Sequence, residues 1–231
     1  MRPSYNGPVE ELNWAAKLQA HVVTPGNRPR IHGYDVRGDL LNCTSFSGLI
    51  LLTLTGELPA PDVLLAFEKA LFILATVSVA EAPVHASVLS GLCGSSSCGM
   101  TGVAAITLAQ QAHWIVNEHM ELFQSLAAKA IPPEHLFSPQ NEEEQADTEL
   151  LVCALEKAGV KPPKACKGLK PISAALAVLH ECCGLTDPWL MEAVLVLARI
   201  PCTLAEGRAV QPGGFRSYPI DLPQFVYRDE E

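Results

Sequence analysis

The sequence predicts an all-α protein. Apolar side chains recur at three- and four-residue spacing through most of the 231 residues, and the recurring runs stop at glycine or proline. No segment shows the sustained alternation of a half-buried strand. Apolar residues make up 48% of the chain and charged residues 18%, a richer supply of core side chains than an average domain carries. The length suffices for a proper core, and the apolar excess predicts an interface with a further subunit.

Taken in order, Val9 to Gln19 reads as one short helix between Pro- and Gly-rich ends. Ile31 to Asp39 is turn-rich. Ser45 is placed to cap a helix with apolar positions Phe46, Leu49, Ile50 and Leu54 and a stop at Gly56. Pro61 or Asp62 opens a helix apolar on most faces, the mark of a buried element. Pro83 to Asn117 starts with His85 after a proline and crosses a run of Ser, Gly, Ala and Cys. It leads into a long helix predicted from about Gly102 to Lys129, with a stripe through Val103, Ile106, Ala109, His113, Val116, Met120, Phe123 and Leu126. Ile131 to Gln140 is a Pro-rich loop. The acidic run Asn141 to Asp147 suits a solvated helix N-terminus, where carboxylates meet the macrodipole. Thr148 to Gly159 is amphipathic, Val160 to Pro171 is a basic linker, and Ile172 to Gly184 and Pro188 to Arg199 are two more helices. The tail from Pro201 is expected to lie extended over another subunit or domain.

The formal charge of -9 and the lack of a basic stripe argue against nucleic acid and anionic membranes as partners. The most apolar run, Val63 to Ala80, is interrupted by Glu68 and Lys69, too costly for a bilayer span. No signal peptide is expected, and a cytoplasmic location is. The eight cysteines then read as reduced thiols. They do not form CxxC pairs, and four ligands at usable spacing are missing, so no metal site is expected. No P-loop, GxGxxG, HExxH or GxSxG appears. Ser87 and Ser95 to Ser97 lie near histidines but make weak nucleophile candidates.

Among the histidines, His21 and His180 read as surface or satisfied core. His113 falls on the predicted stripe with Asn117 one turn on. His119, two positions further, is expected to face solvent. His85 could cap or line a cleft, and His135 in Ile131-Pro-Pro-Glu-His is exposed by default.

Several segments together resemble the citrate synthase superfamily, above all its short citryl-CoA-lyase-like members. Gly33 to Pro59, with Gly33-Tyr34-Asp35-Val36 at one end and Thr55-Gly56-Glu57-Leu58-Pro59 at the other, resembles the family's N-terminal signature. His113-Trp114-Ile115-Val116-Asn117 resembles a His-Gly-Gly-Ala-Asn motif with the small residues replaced. Ile131 to His135 resembles an IPGFGH loop. Ile172 to Ala177 resembles an N-x-D-G-A-L segment with Ser173 at the aspartate, and Ala198-Arg199-Ile200-Pro201 resembles the last core helix. The likeness covers roughly Ile31 to Arg208.

The resemblance implies a citrate-synthase-like helical domain over residues 1–137 and 171–231, with a much reduced small domain at 138–170. It implies an enzyme that forms or cleaves a carbon–carbon bond between an acyl-CoA of acetyl-CoA type and a 2-oxoacid of oxaloacetate type. The coenzyme A thioester is a substrate, and no cofactor is tightly bound. The catalytic roles would fall on His85, His113 and His135, and substrate binding on Asn117, Arg199 and Ser173. A serine is no effective base unaided, whereas the family uses a carboxylate to take a weakly acidic α-proton. Glu134 or Glu81 would have to replace it. The alternative is a catalytically inactive paralogue that acts as a partner subunit or ligand-binding protein. Either reading implies a homodimer, or a heteromer with an active homologue, with Arg216 and Tyr218 of the tail reaching across.

Overall fold

The computed structural model describes residues 20–137 and 141–210. The expected helix at Val9 to Gln19 and the tail residues Arg216 and Tyr218 lie outside them. The chain forms two compact units that divide between Ala60 and Pro61.

The first unit contains a small antiparallel sheet of two-residue strands, β1 (Val23–Thr24), β2 (Arg30–Ile31) and β3 (Tyr34–Asp35), in that order, which ends inside the segment that read as turns, Ile31 to Asp39. Strands this short leave no alternation to read. His32 and Gly33, at φ 47° and 87°, make the two-residue turn between β2 and β3, because positive φ at both positions matches the strand twist. Asp35 then accepts from the backbone N–H groups of Gly38 (2.8 Å) and Arg37 (2.9 Å), and these bonds hold its carboxyl below the usual range. After a helical turn over Val36–Leu40 and α1 (Leu41–Cys43), Ser45 caps α2 (Phe46–Thr55) by accepting from Gly48 N–H, and Gly56 ends it at φ 83°. The cap and stop are where the sequence placed them. The buried stripe is different: Gly48, Leu51 and Leu52 are buried, and Phe46 is exposed.

The second unit is built from α3 (Pro61–Leu74), α4 (Ala82–Leu92), α5 (Ser97–Glu118), α6 (Met120–Ala127), α7 (Glu142–Lys157), α8 (Pro171–Glu181) and α9 (Pro188–Ala209). Helices α4, α5 and α9 pack on one another, while α8 lies against α3, α6 and α7. Helix α8 is the centre: every residue from Ser173 to Leu179 is buried. Asn141 accepts from Glu143 and Glu144 N–H at the start of α7, as the acidic run implied.

Three expectations change here. The predicted long helix is divided at His119 into α5 and α6. Its buried stripe is Ala104, Leu108, Ala112, Ile115 and Val116, so Ile106 and Trp114 are left in solvent. The small residues won because α5 packs against both α4 and α9. Helix α9 also continues through Pro201 to Ala209 instead of ending near Arg199. An internal proline costs about 3 kcal/mol, offset here by burial of Thr203 and Gly207 beyond it. By length and composition α9 is apolar enough to cross a membrane, but it buries Met191, Val194, Leu195 and Arg199 within the helical unit.

Helices α4 and α9 meet where glycines face each other. A Cβ on Gly91 would run into the Gly207 carbonyl group, whose carbon would lie 3.2 Å away. The neighbour is backbone, which cannot swing aside. Gly91→Ala should therefore lower the urea midpoint by the equivalent of about 1–3 kcal/mol or more, whereas Gly102→Ala, with open space around it, should leave it unchanged or raise it.

Candidate functional site

One cavity in the helical unit, of about 790 Å³, collects segments far apart in sequence. Its walls are the end of α5 (Gln111, Trp114, Ile115, Glu118), His119, the loop residues His135 and Leu136, the first turn of α8, the loop before α4, and Arg199. The size suits a small-molecule site. The loop is fixed to α8 by Lys170 N–H donating to the Leu136 carbonyl at 2.9 Å and by the pairing of Phe137 with Leu169. This brings His135 and Ser173 to the same cavity.

His119 and Ser173 are in contact inside it. His119 Nδ1 lies 2.7 Å from the Ile115 carbonyl oxygen and Nε2 lies 2.9 Å from Ser173 Oγ. The carbonyl can only accept, so the ring proton sits on Nδ1 and Nε2 accepts the serine hydroxyl. Burial pushes the imidazole below its ordinary value of 6.5, which favours this neutral form. The same contact explains the break between α5 and α6. The ring turns back on the carbonyl one turn earlier, and the backbone N–H of His119 is shared between the Ile115 and Val116 carbonyls at 3.2 and 3.1 Å, an insertion that bends helices.

Arg199, 3% exposed, supplies the second polar cluster. Its Nη1 donates to Glu81 Oε2 at 2.6 Å and to Gln111 Oε1 at 3.0 Å, and its Nε donates to the Leu74 carbonyl. Gln111 Nε2 donates to the same Glu81 oxygen at 2.6 Å, while Glu81 Oε1 accepts from Ser78 N–H at 2.9 Å. The arginine charge is thus met inside the protein. With Glu81, Glu118, Glu144 and Asp147 against Lys170 and Arg199, the lining is acidic.

Of the residues singled out by sequence, Glu81, His135, Ser173 and Arg199 line the cavity. His113, Asn117 and His85 do not. His113 is exposed; its Nδ1 donates to Glu192 Oε1 at 2.8 Å and its Nε2 accepts from Asn117 Nδ2 at 3.0 Å, a clip between α5 and α9. His85 is exposed on α4 and Glu134 is exposed on the loop. His119, expected in solvent, is buried. The cause is a stripe read one register off: 104, 108, 112 and 115 continue to 119, whereas 106 and 113 do not. Four residues after the buried Ile115 was the signal that could have found it. Gln111 was also missed.

A second cavity, of about 890 Å³, borders the other part of the 131–137 loop and carries Lys129, Lys161, Lys164 and Lys167. All eight cysteines are unpaired, and burial raises the Cys166 and Cys183 thiols to about 12.

This is an all-α protein of citrate-synthase-like fold with a cavity, lined by both apolar and acidic side chains, among the helices of its larger unit. Citryl-CoA lyase from Hydrogenobacter thermophilus matches it with a TM-score of 0.62, over 93% of this chain and 96% of that one, at 17% identity. No family model and no curated protein sequence matches the chain.

Glu81→Ala leaves a buried guanidinium without its carboxylate. Stability should fall by roughly 3 kcal/mol or more, read as a lower urea midpoint. For His119 and His180 burial lowers the folded-state pKa, so the unfolded chain binds protons first as pH falls below about 6.5. Stability should drop between pH 7 and 5.5, and His119→Gln should flatten part of that slope; an unchanged slope would mean the ring titrates freely.

Proposed function

We propose that the cavity binds a short acyl thioester of coenzyme A and forms or cleaves a carbon–carbon bond beside the thioester, with a 2-oxoacid as the other component. The supporting observation is the convergence of the IPPEH loop, the first turn of α8 and Arg199 on one cavity, in a chain that folds like citryl-CoA lyase. His135 is the acid–base group for the hydroxyl or carbonyl being made or broken, since an imidazole can both give and take a proton. The four lysines beyond the loop supply the positive charge that the phosphates of coenzyme A need, which the acidic cavity does not. Association with a second copy belongs to this reading, supported by Ile106 of α5 and Trp189 of α9, large apolar side chains left in solvent.

A second reading has a specific observation behind it. Ser173 stands where the resemblance expects a carboxylate, and Arg199 and the cavity carboxylate Glu81 are paired with each other, so neither the base at the family's position nor an unpaired clamp for a dicarboxylate is in place. The protein would then bind the thioester without turnover, as a partner subunit.

The two are separated by assaying purified protein with citryl-CoA, and with acetyl-CoA plus oxaloacetate, beside a thermal-shift titration. Turnover that falls about 10²- to 10⁴-fold on His135→Ala supports the enzyme. Stabilisation by acetyl-CoA of roughly 2.7 kcal/mol at 100 times the dissociation constant, weakened by Lys161→Glu with Lys164→Glu and without turnover, supports the partner. Neither turnover nor stabilisation would sink both.

A further inference from the structure

The contact between His119 and Ser173 has the parts of a nucleophile and its base. We infer that Ser173 Oγ is an acyl-accepting nucleophile activated by His119, so that the cavity hydrolyses activated acyl groups by way of an acyl-serine. This is a different reaction from carbon–carbon bond chemistry. It takes from the preceding proposal only that the cavity admits an acyl thioester.

Four features carry it. The 2.9 Å contact joins Ser173 Oγ to the ring nitrogen that lacks the proton, the direction in which a base must receive it. The Ile115 carbonyl, 2.7 Å from Nδ1, fixes the tautomer and ring plane, the part a third group takes in hydrolytic triads. Both side chains line the cavity. Ser173 also lies in the first turn of the 11-residue helix α8, where the backbone N–H groups of Ile172 and Ser173 have no intrahelical acceptor. Such N–H groups are suited to an oxyanion. Ser87, by contrast, is buried with no hydrogen-bond partner and lines none of this cavity.

The reaction balances with water as the only co-reactant. Ser173 Oγ attacks the acyl carbon as its proton passes to His119 Nε2. The carbon–sulfur bond breaks, and the thiol leaves with that proton. Water gives a proton to Nε2 and its oxygen to the acyl carbon, and the ester to Ser173 breaks as the proton returns to Oγ. One thioester and one water yield one carboxylic acid and one thiol. An oxygen ester follows the same path to an alcohol.

The test uses the full chain with a fluorophosphonate, whose phosphorus is captured by activated serines, and with two substrates, S-acetyl-N-acetylcysteamine and p-nitrophenyl acetate. Peptide mass spectrometry should find the phosphonyl adduct on Ser173, absent in Ser173→Ala, with labelling slowed about 10²-fold or more in His119→Asn. Release of thiol or p-nitrophenol should fall in parallel, and the two substrates distinguish a thioesterase from an esterase. If His119→Asn does not fold, Ser173→Cys replaces it. The introduced sulfur should react with iodoacetamide at neutral pH far faster than Cys166, a buried thiol raised to about 12. No adduct at Ser173 in folded protein, or an introduced sulfur no faster than Cys166, overturns the inference. Citryl-CoA cleavage that survives Ser173→Ala, in protein that gives no adduct at Ser173 and releases thiol unchanged by the substitution, overturns it and leaves the carbon–carbon reading standing. A Ser173 adduct without citryl-CoA cleavage does the reverse.

Discussion

The helical unit depends on the burial of the middle of α8. Seven consecutive residues, Ser173 to Leu179, are shielded from water, so the helix contributes apolar area on all its faces and every polar group on it needs a protein partner. Only Ser173 carries a polar side chain in that run. Its partner is His119, which in turn uses the Ile115 carbonyl. That requirement divides what would have been one long helix into α5 and α6. It also places a polar pair at the edge of a cavity otherwise walled by the ends of helices.

The same logic governs Arg199. Its guanidinium is buried on α9, and Glu81, Gln111 and the Leu74 carbonyl surround it. The cluster ties α3, α5, α9 and the loop before α4 together and fixes one wall of the cavity. It also removes the arginine's charge from what a substrate would experience, so the lining is acidic where an arginine alone would suggest the opposite. Positive charge gathers instead around the lysine-lined cavity past the 131–137 loop. A ligand with a reactive acyl end and a phosphate-rich tail is compatible with that separation.

Most helices between Phe46 and Arg199 were legible because caps and stops are local chemistry; α4, in the run of small residues after Pro83, was not. Ser45, Asn141 and Gly56 act within their own turn. The buried face of α5 was not legible, because Val103 and Ile106 are more apolar than Ala104 and Ala112, yet close packing against α4 and α9 selected the small residues. That one-position error put His113 inside and His119 outside, when the structure has the reverse. Ser173 was identified as the position that matters, but only as the absence of a carboxylate. Its histidine lies 54 residues away in sequence, and no local signal connects them.

By itself the sequence determined the helical class, the caps, the Pro-rich loop and the segments from which a site is built. Each of these follows from side-chain chemistry within one or two turns of chain. The tertiary structure decided which face of α5 is buried, that α9 runs through Pro201, that Arg199 is neutralised, and that Ser173 hydrogen-bonds to a neutral imidazole. Those outcomes depend on which backbones approach closely and which buried polar groups find one another, and both are set by contacts between residues far apart along the chain.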